Sequence, residues 1–554
     1  MTRARHLRPH WRLAAAAAGP LLLSGLLAAC AANGGGTAAT AAADGTQLQG
    51  GTIVYGHEQE PPCLYGGWLQ EAYIDRNILD SLVTEANDGT IEPWLATSWT
   101  ISSDGLIYTF HLKPGVTFTD GTPLNAQAVA DNFNYWQNGG NSTAQVSMDP
   151  YYKSATAVNA TTVQVTLNQP FYQLLTMLSQ AYFGIQSPTA LKRSTQANCD
   201  DPVGSGAFKV QKWIHGQEVI LVKNPDYTSW PATALHKGPA IVNQVDWKFL
   251  PDPTERYESL VTGETNVIYD VPTVDWQNAK ANFQLTQYIT PGKPVSLYLN
   301  TIQGPFTNAL VRQAFAYGAN RQSAVQAAFH GVIPFENNPS VSRATPGYDA
   351  AVDSAYPYNP AKAAQLLAQA GWTKRNAAGY LVNAQGQELN VKLAYPAGSV
   401  ITDEGATLLQ ILQQQWKATG FNVTLIPETQ AQTFAGTFST PTSYDAQPWY
   451  WTSPSPAILW IVWRPSTKSD PNYSNSSFYN NNQLGTLIAD GNTASTTTAA
   501  DEYYGQAQQL IQNEAAAVGL YDQTMSIAVA KNLHDVWLEK SQGEPVFEDA
   551  YFTK

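Results

Sequence analysis

Aromatic residues crowd one short stretch of this chain: Trp449, Tyr450 and Trp451 in succession, then Trp460 and Trp463. Rings at this density suit stacking on sugars, aromatic side chains or cations, at about 0.5–2 kcal/mol per good contact. Trp449 and Trp451 alternate, which puts both on one face of a strand or extended loop. Trp460 and Trp463, three apart, fit either the same site or a core stripe on a helix. Catalytic motifs are missing. There is no Gly-x-x-x-x-Gly-Lys-Ser/Thr phosphate loop, no Gly-x-Ser-x-Gly elbow and no His-Glu-x-x-His, although His57-Glu58 shares the first two residues of the last. The histidines are few and scattered, so no metal site is read, and no cofactor is implied.

The N-terminus carries a different chemistry. Arg3, Arg5, Arg8 and Arg12 precede an Ala- and Leu-rich stretch, 13–27, and Leu27-Ala28-Ala29-Cys30 closes it. A basic segment, an apolar segment and small residues make a secretory signal peptide, here 1–29. Cysteine directly after Leu-Ala-Ala makes a bacterial lipobox, with Cys30 as the lipidated first mature residue. The stretch is short and interrupted by Gly19-Pro20, whereas a membrane span takes about 20 apolar residues. Two cysteines remain, Cys63 and Cys199. In an exported chain such a pair forms a disulfide or stays as two buried thiols.

The whole chain has a net charge of −13, and loss of the four leader arginines takes it to −17. That balance excludes nucleic acid as a natural partner and excludes basic-patch adhesion to anionic lipid. Acyl chains at Cys30 would be the anchor, two or more holding stably where one does not. At 554 residues the chain is long enough for two or more lobes.

Residues 30–49, rich in Ala, Gly and Thr, read as a flexible tether with too little apolar bulk to fold. Order starts at the β-branched run 51–55. Residues 107–112 alternate as a strand, 116–118 follow as a short one, and 125–133 open with an N-capping asparagine and place Val129, Phe133 and Trp136 on one helical face. Strands follow at 163–167, 208–210, 218–222, 267–269 and 422–426. Helices follow at 253–260, 308–318, 321–330, 360–370 and 407–419, several stopped by glycine. Helices and strands interleave throughout, so the fold class is α/β or α+β with mixed sheets.

Five ordered segments carry a resemblance. They are DGLIYTFHLKPGVTFTDGTPLNAQAV at 104–129, GSGAF at 204–208 with KNPDY at 223–227, FLPDPTERYESLVTGE at 249–264, VRQAFAY at 311–317 with Asn320-Arg321, and YNPAKAAQLLAQAGW at 358–372. From residue 50 to the C-terminus the chain resembles the family-5 extracellular solute-binding proteins of ABC importers, which include dipeptide-, oligopeptide- and nickel-binding proteins. The resemblance implies a two-lobed, type II periplasmic-binding-protein-like fold. Lobe I would be discontinuous (50–90, 201–292 and 523–554), with an extra subdomain at 91–200, and lobe II would span 293–522. Both remaining cysteines would then fall on or beside lobe I, which favours their bridge. Ligand would lie in the cleft, and the lobes would close on it as hinged bodies.

It also implies where ligand residues lie. Trp449, Trp451, Ser453 and Trp460 fall in the family's cleft segment, Tyr65 and Trp68 on its first loop, and Asn300 at the lobe crossing. Peptide-binding relatives place an aspartate third after the segment's tryptophan to pair with the peptide ammonium. Here Pro454 stands there, and no acid occurs between Asp445 and Asp470. A buried ammonium without a counter-charge is costly, so either another carboxylate replaces it or the solute is no simple peptide.

The expected function is a lipid-anchored, monomeric receptor on the extracytoplasmic face of the membrane. It would capture an oligopeptide or similar small solute and deliver it to an ABC permease with its ATPase subunits. The alternatives are a secreted carbohydrate-active enzyme and a sensory or adhesion lipoprotein on the same fold.

Overall fold

A computed structural model describes residues 45–67, 74–138, 142–466, 472, 474–541 and 543–554. The signal peptide, Cys30, most of the tether and Trp68 lie outside the described residues.

Two large mixed sheets organise the chain. The seven-stranded sheet runs Gln284–Ile289, Thr524–Val529, Val267–Tyr269, Thr52–His57, Gln244–Phe249, Glu218–Lys223 and Phe208–Ile214. Thr52–His57 pairs in parallel with both Gln244–Phe249 and Val267–Tyr269, and the remaining pairs of the sheet are antiparallel. The five-stranded sheet runs Asn422–Glu428, Asn390–Pro396, Ala446–Thr452, Gly292–Leu299 and Ala517–Tyr521. A four-stranded antiparallel sheet, Ala96–Ile101, Ile107–Leu112, Thr162–Leu167 and Tyr152–Asn159, carries helix Ala126–Gln137 on one face. One core joins the seven- and four-stranded sheets. Two others cover opposite faces of the five-stranded sheet: Val295, Leu297 and Leu299 enter one, and Tyr298 enters the other.

The chain passes between the large sheets at 290–291 and again at 522–523. Gly292 starts the incoming strand at φ +120°, and a Cβ there would lie 2.1 Å from the Trp451 carbonyl oxygen. Only glycine lets the strand approach that closely.

Local signals hold well. Asn125, Asp252, Asn308, Asn320 and Asn359 each cap a helix with the side-chain oxygen, and Gly263 and Gly420 end helices in the left-handed conformation. Two readings need correction. Residues 116–118 form no strand, only an isolated bridge between Thr117 and Pro123. The helix read from 407 begins at Asp403, capped by Thr402, because its first turn is acidic rather than apolar.

Cys63 and Cys199 are bridged, with Cα atoms 4.4 Å apart. The bond ties the 61–66 loop to helix Thr195–Asp200, and Leu64 N–H donates to the Cys199 carbonyl at 2.9 Å beside it.

Candidate functional site

The two large sheets present strand ends and loops to a common cavity of about 540 Å³. Glu58 and Asp270 each follow directly on a parallel-paired strand, Thr52–His57 and Val267–Tyr269. In α/β sheets ligands gather beyond the carboxyl ends of such strands. From the five-stranded sheet come Trp449, Tyr450 and Trp451, on Ala446–Thr452, and Tyr521 at the end of its edge strand. Glu404, in the first turn of helix Asp403–Thr419, and Glu544 add to the acidic lining.

A side chamber of about 200 Å³ shares Trp449, Tyr450 and Trp451 with the main cavity and adds Tyr298, Tyr444 and Phe478. A third space, about 30 Å³, is lined by Trp451, Ser453, Trp460 and Tyr151. That is roughly one water's share of liquid. Trp451 is common to all three.

The expected site residues therefore separate. Trp449 and Trp451 wall the main cavity. Ser453 and Trp460 border only the smallest space, and the Ser453 hydroxyl is engaged in its own turn, donating to the Ser455 carbonyl at 3.1 Å. Trp463, on the same short helix as Trp460, is fully buried in the core. Tyr65 lines none of the three cavities; its hydroxyl accepts from Trp136 Nε1 at 2.6 Å inside the core. Asn300 is also committed within the protein. Its amide donates to the carbonyls of Pro441 and Tyr444 at 2.7 and 3.0 Å, and its Oδ1 accepts from the N–H groups of Ile302 and Gln303. It braces a loop of the five-stranded sheet rather than the crossing between sheets.

Sequence reading missed the carboxylates of the cavity. The available signal was position: Asp270 stands one residue past the strand read at 267–269, and Glu58 three past the run read at 51–55. Asp270 sits at φ +50°, in a region that side-chain-bearing residues rarely adopt. Its N–H donates to the Ser526 carbonyl at 2.6 Å, and the next N–H, of Val271, donates to the Ser526 hydroxyl at 2.8 Å. Burial and then repulsion from Glu58 push its carboxyl up to about 7, against the attraction of Arg256. Arg256 itself is spent on carbonyls, those of Tyr269, Leu250 and Asp270 among them.

On the cavity wall His57 Nε2 lies 3.4 Å from Glu544 Oε1, and the Tyr55 hydroxyl donates to the other Glu544 oxygen at 3.3 Å. Burial pulls the His57 pKa down, but attraction to Glu544 outweighs it and the net direction is up.

The sequence profile of the bacterial extracellular solute-binding proteins, family 5, matches residues 90–485. The chain belongs to this family. The nickel-binding periplasmic protein of Escherichia coli K12 is 29% identical over 378 residues, 66% of this chain and 68% of that protein. The glutathione-binding protein GsiB of Shigella flexneri serotype 5b is 26% identical over 472 residues, 82% of this chain and 85% of that protein. Among solved structures, NikA from Brucella suis with Fe(III)-EDTA superposes at a TM-score of 0.78 with 21% identity, covering 91% of this chain and 100% of NikA. The oligopeptide-binding protein AppA from Bacillus subtilis, with a nonapeptide, superposes at 0.78 with 22% identity, covering 92% of this chain and 100% of AppA. These two share the fold, a two-lobed binding protein with mixed sheets. As a family-5 solute-binding protein of the ABC-importer type, this chain binds and does not catalyse, which removes the glycan-cleaving alternative.

Proposed function

We propose that this family-5 protein is the lipid-anchored receptor of an ABC importer. It captures a small solute, an oligopeptide or a molecule of similar size, in the cavity between its two large sheets and passes it to the permease. The cavity walled by Trp449, Tyr450 and Trp451 carries this reading: it is large enough for a drug-sized molecule and lies where a swing about residues 290–291 and 522–523 would open it. Cys30 after Leu27-Ala28-Ala29 supports the anchor. The relatives named for nickel and glutathione support import of a small solute.

A thermal-shift screen of peptides, oligosaccharides and metallophores on the purified protein tests the binding, because a ligand specific to the folded state raises stability by mass action. Hits are expected to raise the Tm, and Trp451→Ala is expected to weaken them tenfold or more with the circular dichroism spectrum unchanged. A hit whose affinity ignores Trp451→Ala removes the cavity from the reading. Globomycin treatment of the producing cells is expected to retain the leader; normal processing in its presence argues against the lipobox.

A further inference from the structure

The charge of the cavity narrows the solute class. Among the described residues, Glu58, Asp270, Glu404 and the His57–Glu544 pair line it, while no lysine or arginine lines it or either neighbouring space. None of the first three carboxylates takes part in an ion pair among the described residues. No group of three or more His, Cys, Asp or Glu side chains among the described residues is gathered closely enough to hold a metal ion.

The side chamber supplies a second, independent sign. Tyr298, on its wall, is 1% exposed, and its hydroxyl has no hydrogen-bond partner among the described residues. Buried polar groups are nearly always paired, so an unpaired hydroxyl on a hollow marks where a ligand atom belongs. Glu428 also borders the chamber, but its Oε1 already accepts from Gln447 Nε2 at 2.8 Å. The Lys293 amine lies 4.2 Å from the Tyr298 ring centre and donates to Ser296 Oγ and the Trp449 carbonyl. Burial drives it well toward the neutral amine, so it supplies little counter-charge for an anion.

Resting on the receptor reading above, we propose that the solute is an organic cation, an amine or guanidine without a free carboxylate. Its charged end lies among Glu58, Asp270 and Glu404. Its aromatic or apolar end enters the chamber of Trp449, Tyr450, Trp451, Tyr444 and Phe478 and carries one hydrogen-bonding atom to Tyr298. Aromatic walls favour such a cation again through their ring faces. A zwitterionic peptide would find no lysine or arginine on the described lining for its carboxylate, and His57 is already engaged by Glu544 at 3.4 Å, so the carboxylate would be costly in an enclosed site.

Matched probes test this by isothermal titration on the purified protein: hydroxyphenyl-alkylamines with two to six methylenes, their N-acetyl derivatives, and the corresponding hydroxyphenyl-alkanoates. At least one amine is expected to bind a hundredfold more tightly than its neutral and anionic counterparts. Asp270→Asn and Glu58→Gln should each weaken it tenfold or more. Tyr298→Phe should weaken amines bearing the phenol hydroxyl and spare those lacking it. Glu404→Gln carries the same test should Asp270→Asn fail to fold. An N-acetyl or carboxylate probe that binds as tightly as its amine overturns the cation, and so does an amine whose affinity ignores all three carboxylate variants. A series in which no amine binds also overturns it; Trp451-dependent binding of a neutral or anionic peptide would then leave the receptor reading standing alone.

Discussion

Thr290 donates its N–H to the Gln523 carbonyl at 2.8 Å, so the two chain crossings between the large sheets are tied to each other. Residues that hinge lobes are few and sit at the ends of elements. Here the tie makes them move as one. Beside it, Arg343 Nε donates to Asp522 Oδ2 at 2.6 Å and to Glu336 Oε2 at 3.1 Å, and both carboxylates are fully buried.

Arg343→Ala would leave two buried carboxylates facing each other. Breaking a fully buried pair costs about 3–5 kcal/mol; Arg343 is 42% exposed, so the expected loss is on the order of 2 kcal/mol. Urea unfolding checks it, and an unchanged midpoint would show the clamp to be slack.

Helix Asn482–Thr493 meets the loops beside the four-stranded sheet through Asn492. Its carbonyl accepts from Tyr172 N–H at 3.0 Å, and its amide bonds the Tyr151 hydroxyl. Nearby, the hydroxyls of Tyr182 and Thr452 lie 3.1 Å apart. Asn492→Ala removes the bond its Oδ1 accepts from the Tyr504 hydroxyl at 2.6 Å and also the bond to Tyr151, the latter worth about 0.5–1.5 kcal/mol in whichever state makes it. If that state is the closed one, the ligand-free protein should gain radius of gyration in small-angle scattering and its solute affinity should drop about two- to tenfold. A compact, full-affinity variant would assign the bond to both states.

The Cys63–Cys199 bridge spans 136 residues of sequence. Restricting so long a loop in the unfolded chain is worth about 2–5 kcal/mol. Reduction, or replacement of both cysteines by serine, is expected to lower the Tm by several degrees while preserving the fold of the five-stranded sheet. Equal Tm values for oxidised and reduced protein would contradict this.

Asp270 makes binding depend on pH. Its folded-state pKa, about 7, stands above the ordinary carboxylate value, so the empty protein holds this proton more tightly than the unfolded chain does. Its contribution to stability is present below pH 4 and is lost as the pH climbs toward 7. Glu58 and Glu404 raise the pKa, and Arg256 and His57 lower it. A cation beside Asp270 would pull the pKa down again. Solute affinity should therefore rise from pH 5 to pH 8 with proton release on binding, seen by titration in buffers of different ionisation enthalpy. Asp270→Asn should flatten the profile, and a profile unchanged by that variant would take Asp270 out of the linkage.

Much of the scaffold was legible because its causes are local. Asparagine or aspartate caps, left-handed glycines and alternating runs act within a few residues, and the matching helices and strands stand where those signals put them. Strand Gly292–Leu299 was not legible, because it is buried on both faces and so shows no alternation. Ser453, Trp460 and Asn300 were named by position along a motif, and position does not say whether a side chain is already occupied by its own neighbours.

Chain order alone was enough for the acidic balance, the family and the aromatic stretch at 449–451, since each is written along the chain itself. Which of those aromatic residues face a hollow, and which acids face them, depended on the folded molecule. Glu58, Asp270 and Glu404 are each more than a hundred residues from the next, and they become one acidic lining only where packing of two sheets brings strand ends and a helix start around the same space. No one-dimensional pattern encodes that proximity, because it is set by long-range burial rather than by any neighbour in the chain.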